Sequence, residues 1–158
     1  MFNNNDNHLL HRNAVKLVLE NLEGSINMND VYGFRKPYDV EWNNIKLMIK
    51  ASNKTKKSSQ NRSRWYYSLT EKDHDMADYF ILFAIKDGKV GAVYAMPTVL
   101  SPKRFITITN LDGNVRYDLF KTDIQSLAEK IMKIEKQLPK LVKLYRKADG
   151  LLNLNENA

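Results

Sequence analysis

Apolar residues occupy every second position on both sides of Asn43-Asn44, and this alternation predicts a β-hairpin. The apolar positions are Val40, Trp42, Ile45, Leu47 and Ile49. The positions between them hold Asp39, Glu41, Lys46, Met48 and Lys50. An Asn-Asn pair suits a two-residue turn of the primed type, which would place Glu41 opposite Lys46 and Asp39 opposite Met48. One face of the hairpin is therefore expected to be buried and the other charged.

The rest of the chain predicts helices near both ends and strands between them. A first helix is expected before Gly24, followed by a short strand over residues 25–29. Further strands are expected over residues 65–69, 79–86, 90–96 and 105–109, with Asp87-Gly88 as a hairpin turn. Thr122 or Asp123 is expected to cap a long C-terminal helix, which Pro139 would kink or divide. This order predicts an α/β fold.

Residues 53–64 hold no acidic and no large apolar side chain, so they predict a mobile loop beside the charged face of the hairpin. Its basic residues are Lys54, Lys56, Lys57, Arg62 and Arg64. These side chains can pair with phosphates, and the alternative is a loop that only increases solubility. The acidic segment further along contains His74 between Asp73 and Asp75, where a solvated loop histidine is favoured over a catalytic one.

The composition fits one intracellular domain that handles a polyanion. The chain has 158 residues, a net charge of +7, no cysteine and a pI of about 9.5. We expect a disordered N-terminus over residues 1–8, a single domain over residues 9–148 and a flexible tail over residues 149–158. The absence of an apolar leader or membrane-length run predicts a cytoplasmic protein without a membrane partner.

Pro37-Tyr38-Asp39 followed by Met48-Ile49-Lys50 resembles the signature of the PD-(D/E)XK nuclease superfamily, with Met48 where an acidic residue or Gln is usual. Further matches are Ala51-Ser52, Trp65-Tyr66-Tyr67, Ala77-Asp78-Tyr79-Phe80-Ile81 and Tyr94-Ala95-Met96-Pro97. Together they resemble the small branch that includes group I intron-encoded homing endonucleases. The similarity covers residues 8–110. It implies a restriction-endonuclease-like mixed β-sheet flanked by helices.

The resemblance also implies a site for Mg²⁺ or Mn²⁺. Asp39 would be the principal ligand, the carbonyl of Ile49 a second ligand, and Lys50 the partner of the attacking water. Two of the family's acids are missing, because Met48 and Asn13 stand at their positions. A thioether is a poor ligand for Mg²⁺. Glu41, two residues after Asp39 on the same strand face, is the expected replacement as a metal ligand and catalytic residue.

Three functions remain open. The first is a divalent-metal-dependent DNA endonuclease that uses Asp39, Lys50 and Glu41. The second is a catalytically inactive DNA-binding or regulatory module of the same fold, and the third is a basic protein with no nucleic-acid role. For the first two we expect double-stranded DNA as the partner, contacted by Lys46 and the basic loop, and a homodimer or homotetramer. The simpler alternative for Glu41 and Lys46 is a cross-strand ion pair on a solvated sheet face.

Overall fold

The computed structural model describes residues 7–56, 63–113 and 116–156. Its helices are α1 (Asn7–Asn21), α2 (Met28–Tyr32), α3 (Glu71–Met76) and α4 (Leu127–Glu156). Its strands are β1 (Ile26–Asn27), β2 (Val40–Trp42), β3 (Ile45–Asn53), β4 (Thr55–Lys56), β5 (Ser63–Ser68), β6 (Tyr79–Lys86), β7 (Lys89–Pro97), β8 (Phe105–Ile108) and β9 (Lys121–Thr122). Short 3₁₀ turns cover Gly33–Arg35, Thr98–Leu100 and Asp118–Phe120.

Six strands form a mixed sheet in the order β1-β2-β3-β6-β7-β9, and β4, β5 and β8 form a second sheet. The β3–β6 pair is parallel, whereas the other pairs in both sheets are antiparallel. Helix α1 packs against β3, and α4 contacts β7. The predicted α/β class, with a mixed sheet, flanking helices and a long C-terminal helix, is confirmed.

The β2–β3 hairpin has the predicted turn and register. Asn43 and Asn44 have φ values of 50° and 62°, the left-handed conformation that a primed two-residue turn requires. Glu41 pairs with Lys46, and Val40 pairs with Leu47. Because the turn fixes the register, it also fixes which backbone groups of β3 face the start of β2.

The core lies around β6, whose residues from Tyr79 to Ile85 are all buried. Such a continuous apolar run is typical of a central strand that is covered on both faces. Leu10, Ala14 and Val18 of α1 are also buried in this core. Complete burial of one large apolar side chain stabilises the fold by about 1.5–3 kcal/mol. The central sheet is therefore a firm support for residues at the end of the hairpin.

Three predicted segments begin or end at other residues in the structure than expected. The strand expected over residues 25–29 ends at Asn27, because the Asn27 side chain accepts a hydrogen bond from the Asn29 amide and caps α2. The loop expected over residues 53–64 is shorter than predicted, because β4 pairs with the start of β5. Residues 57–62 of this loop lie outside the described residues. Helix α4 begins only at Leu127.

Asp123 caps the turn that precedes α4 rather than the helix itself, because its Oδ1 accepts a hydrogen bond from the Ser126 amide at 2.8 Å. Helix α4 then continues through Pro139 without being divided there.

The part of the chain that the structure describes contains no helix long and apolar enough to cross a membrane. The expected domain limits remain a prediction, and the expected disordered N-terminus lies mostly outside the described residues.

Candidate functional site

A cleft of about 410 Å³ opens where α1, the segment before β2, β3 and β5 meet. Its polar lining includes His11, Lys36, Asp39 and Lys50. Met48, Ile49 and Tyr66 also contribute to its walls. The structure therefore brings Asp39, Ile49 and Lys50 to one cavity.

Asp39 is held at the entrance to β2 by its backbone and its side chain. Its amide donates a hydrogen bond to the Leu47 carbonyl at 3.0 Å, and its carbonyl accepts one from Met28 at 2.9 Å. Its carboxylate is only 5% exposed, and Oδ2 accepts a hydrogen bond from the Ile49 amide at 2.8 Å. These bonds fix the carboxylate against the edge of β3.

A histidine and a lysine approach the other carboxylate oxygen of Asp39. His11 Nε2 lies 3.2 Å and Lys36 Nζ 3.5 Å from Oδ1. Burial by itself would raise the pKa of Asp39. The hydrogen bond and charge of His11, the Ile49 amide and the charge of Lys36 outweigh burial and lower that pKa. Asp39 is therefore ionised at neutral pH.

The Ile49 carbonyl faces the same edge of β3 as Asp39. In a strand, the amide and carbonyl of one residue point to the same side, and those of the next residue point to the opposite side. The Ile49 amide donates to Asp39, and the Lys46 carbonyl accepts from Asp78 on the β6 side. The Ile49 carbonyl consequently points toward the start of β2, where the chain enters the sheet after Asp39.

Lys50 is positioned by α3. Its Nζ lies 3.1 Å from Oδ2 of Asp73, and both side chains are largely buried. Asp73 also forms a capping box with Thr70, which fixes the first turn of α3. The neighbouring His74 packs edge-on against Phe80, with ring centroids 5.1 Å apart, which supports a packing role. Within this acidic segment, Asp73 is thus the residue that contacts the lysine of the cleft.

Glu41 does not point its carboxylate at Asp39. Its Oε1 accepts a hydrogen bond from the Tyr38 hydroxyl at 2.9 Å. Burial and this bond raise the pKa of Tyr38 to about 12, so the phenol remains a donor. Among the described residues, those that line the cleft do not include Glu41. Its role as a replacement ligand stays a prediction.

The residues of the cleft fit a hard divalent cation poorly. Within the described ranges, no group of three or more His, Asp or Glu residues could hold a metal ion. Asp39 is the carboxylate in the cleft lining, and it already contacts His11 and Lys36. Met48 lines the cleft at the position where a second carboxylate would be expected. The contacts of His11 and Lys36 are both made to Oδ1 of Asp39, and Oδ2 accepts the hydrogen bond from Ile49.

The predicted DNA-contacting residues are spread over several surfaces. Lys46 is exposed, with its Nζ 5.7 Å from the centre of the Tyr38 ring. Lys54 lines a different cavity together with Lys86 and Lys121. Arg64 lies over the Tyr66 ring at 5.5 Å. Lys57, Arg62 and the side chain of Lys56 lie outside what the structure describes.

His11 and Lys36 are residues of the cleft that were not predicted from the sequence. His11 precedes Val15 and Val18 by four and seven residues, so it lies on the helix face that turns toward the sheet. That spacing could have indicated His11. Lys36 has no comparable signal, because its approach to Asp39 depends on the turn between α2 and β2.

Comparison with known proteins gives a structural likeness at low sequence identity. No protein-family model and no curated protein matches the chain. The chain is similar to the solved structure of a bacterial homing endonuclease, I-Ssp6803I, with 15% sequence identity and a TM-score of 0.46. The match covers 68% of this chain and 80% of that one.

Proposed function

We propose that this chain is a DNA-binding protein that holds the phosphate backbone at the cleft around Asp39. The observation that supports it is the meeting of His11, Lys36 and Lys50 at one cavity, in a chain with a net charge of +7. Phosphate contacts supply most of the non-specific affinity of proteins for DNA. Asp39 holds His11 and Lys36 at one point, where an incoming phosphate can replace or share their contacts.

Binding to double-stranded DNA tests this proposal, with affinity measured by fluorescence anisotropy. We expect Lys36→Gln/Lys50→Gln to weaken binding by about tenfold or more, since each lost charged contact is worth about 1 kcal/mol. Lys133→Gln/Lys136→Gln removes the same charge from exposed positions on α4 and serves as the control. Equal losses in the two double variants would mean that net charge, rather than the cleft, determines binding.

Metal-dependent phosphodiester cleavage is the second candidate, favoured by the Ile49 carbonyl and Lys50 beside Asp39. In this form of the proposal, Asp39, the Ile49 carbonyl and Glu41 would hold Mg²⁺ or Mn²⁺. Such an ion stabilises developing charge on the phosphate and lowers the pKa of a bound water. Lys50 would orient that water. The poor fit of the cleft to a hard cation favours the inactive DNA-binding module instead.

Plasmid cleavage with Mg²⁺ or Mn²⁺ separates these two candidates. A working nuclease should lose activity in Asp39→Ala and Lys50→Ala, and in Glu41→Gln if Glu41 is the replacement ligand. If the native chain is inactive but Met48→Glu cleaves, the cleft is an eroded site on a domain that binds DNA. A homodimer or homotetramer, one site per strand, belongs to the nuclease candidate and can be checked by light scattering.

A further inference from the structure

We propose that the outer face of the β5–β8 pair is a platform on which unpaired bases of single-stranded DNA stack. This inference rests on the DNA-binding role proposed above and extends it to a second surface. The surface consists of Tyr66 and Phe105, which are 43% and 51% exposed. Their ring centroids are 5.7 Å apart and their planes differ by 27°.

The two rings face outward because of the strand alternation. Trp65 and Tyr67 of β5 are buried in the core, so Tyr66 between them points to the opposite face. Tyr66 pairs with Thr107 and Ser68 pairs with Phe105, which makes the two aromatic residues diagonal neighbours on that face. Two large apolar rings are thus held side by side without a covering element in the described residues.

Cationic side chains surround this aromatic pair. The Arg64 guanidinium lies 5.5 Å from the centre of the Tyr66 ring. On the other side, Phe105 lines a cavity of about 420 Å³ together with Lys103, Arg104 and Arg116. Tyr66 itself lines the Asp39 cleft. The aromatic pair therefore connects two basic cavities.

This arrangement fits a nucleic-acid strand better than a protein partner. The surrounding cations complement a polyanion, whereas a second copy of the chain would bring the same positive charges against them. Bases in a duplex are already stacked, so an unpaired base is the one that offers a free ring face to Tyr66 or Phe105. The strand would place its bases on the rings and its phosphates near Arg104 and Arg116.

Binding of oligonucleotides that carry 2-aminopurine tests this inference, because stacking on an aromatic ring quenches the fluorescence of that base. The substrates are a single strand, a blunt duplex and a duplex with a single-stranded tail. Tyr66→Leu/Phe105→Leu keeps apolar side chains but removes the rings. Tyr32→Leu, at an exposed aromatic residue on α2, is the matched control, and Tyr66→Phe/Phe105→Tyr keeps both rings.

We expect the native chain and the ring-retaining variant to quench 2-aminopurine in the single strand and in the tail. Tyr66→Leu/Phe105→Leu should bind the single strand about tenfold or more weakly, since stacking of one base contributes this much or more. Phe105→Leu alone, at the ring that does not line the Asp39 cleft, should lose much less affinity for the blunt duplex than for the single strand. An unchanged unfolding midpoint would show that each variant is folded.

Each outcome separates this inference from the proposed function. Equal losses of Phe105→Leu on single strand and duplex, or no quenching by the native chain, would overturn the platform without testing the cleft around Asp39. Ring-dependent quenching of single strands without any duplex binding would support the platform and overturn the cleft proposal. An equal loss of single-strand affinity in Tyr32→Leu would also overturn the platform, because the effect would not be specific to Tyr66 and Phe105.

Discussion

The Asp39 carboxylate makes folding dependent on pH, because its pKa is lower in the folded chain than in the unfolded one. The pKa of an aspartate in an unfolded chain is about 3.9. Above that pH, Asp39 contributes its full stabilisation, and the contribution disappears as the pH falls through the lower folded pKa. The sign of the effect is therefore a loss of stability in acid.

We predict that Asp39→Asn lowers the free energy of unfolding at pH 7 by about 1–3 kcal/mol, because it removes a buried charged partner of Ile49, His11 and Lys36. Urea unfolding at several pH values measures this. The difference from the native chain should shrink as the pH falls below about 4. Asp75→Asn, at an exposed position on α3, is the control and should show little change. A loss that is the same at every pH would contradict the role of the Asp39 charge.

The β2–β3 turn is the element that sets the cleft, since its register places the Ile49 amide at Asp39. We predict that Asn44→Ala lowers the free energy of unfolding by about 1 kcal/mol, because φ at this position is 62°. Asn44→Gly should be neutral or stabilising, since glycine adopts positive φ without a Cβ penalty. Thermal unfolding of the three chains measures both effects. Equal stability of the alanine and glycine variants would contradict the strained turn.

Helix α4 contains Pro139 in its interior, where proline cannot donate a backbone hydrogen bond and crowds the preceding turn. We predict that Pro139→Ala stabilises the helix by up to about 3 kcal/mol. Helical circular dichroism and the urea unfolding midpoint should both rise. Lys140→Ala, at the next and exposed position, controls for the effect of a new alanine in the helix. A fall in stability would mean that Pro139 makes a contact that the fold needs.

Elements defined by local pattern could be predicted from the sequence. The Asn43-Asn44 hairpin and the Asp87-Gly88 turn depend on residues next to each other, and the structure confirms both. Lys50 contacts Asp73, and His11 contacts Asp39, across distant parts of the chain. Lys36 reaches Asp39 through an irregular turn. Helical spacing could have indicated His11, but periodicity contains no information on the contacts of Lys36 and Lys50. The strand residues of the cleft, Lys50 among them, could therefore be predicted, whereas His11 and Lys36 were not.

At the scale of the whole molecule, the charge predicts a salt-dependent affinity for DNA. Each phosphate that the protein neutralises contributes a slope of about −0.9 to the dependence of log affinity on log salt. We predict a steep negative slope for the native chain and a slope shallower by about 2 for Lys36→Gln/Lys50→Gln. Titrations between low and physiological salt measure this. A flat dependence in the native chain would favour a basic protein without a nucleic-acid role.

The most direct test of the cleft as the DNA-binding site is amide NMR during titration with a double-stranded oligonucleotide. We predict that the largest chemical-shift changes fall on backbone amides beside the cleft, in residues 36, 38, 39, 48–51 and 66–68. Amides on the exposed face of α4 near Lys133 and Lys136 should change little. Changes concentrated on α4, or no changes at a DNA excess, would contradict DNA binding at Asp39.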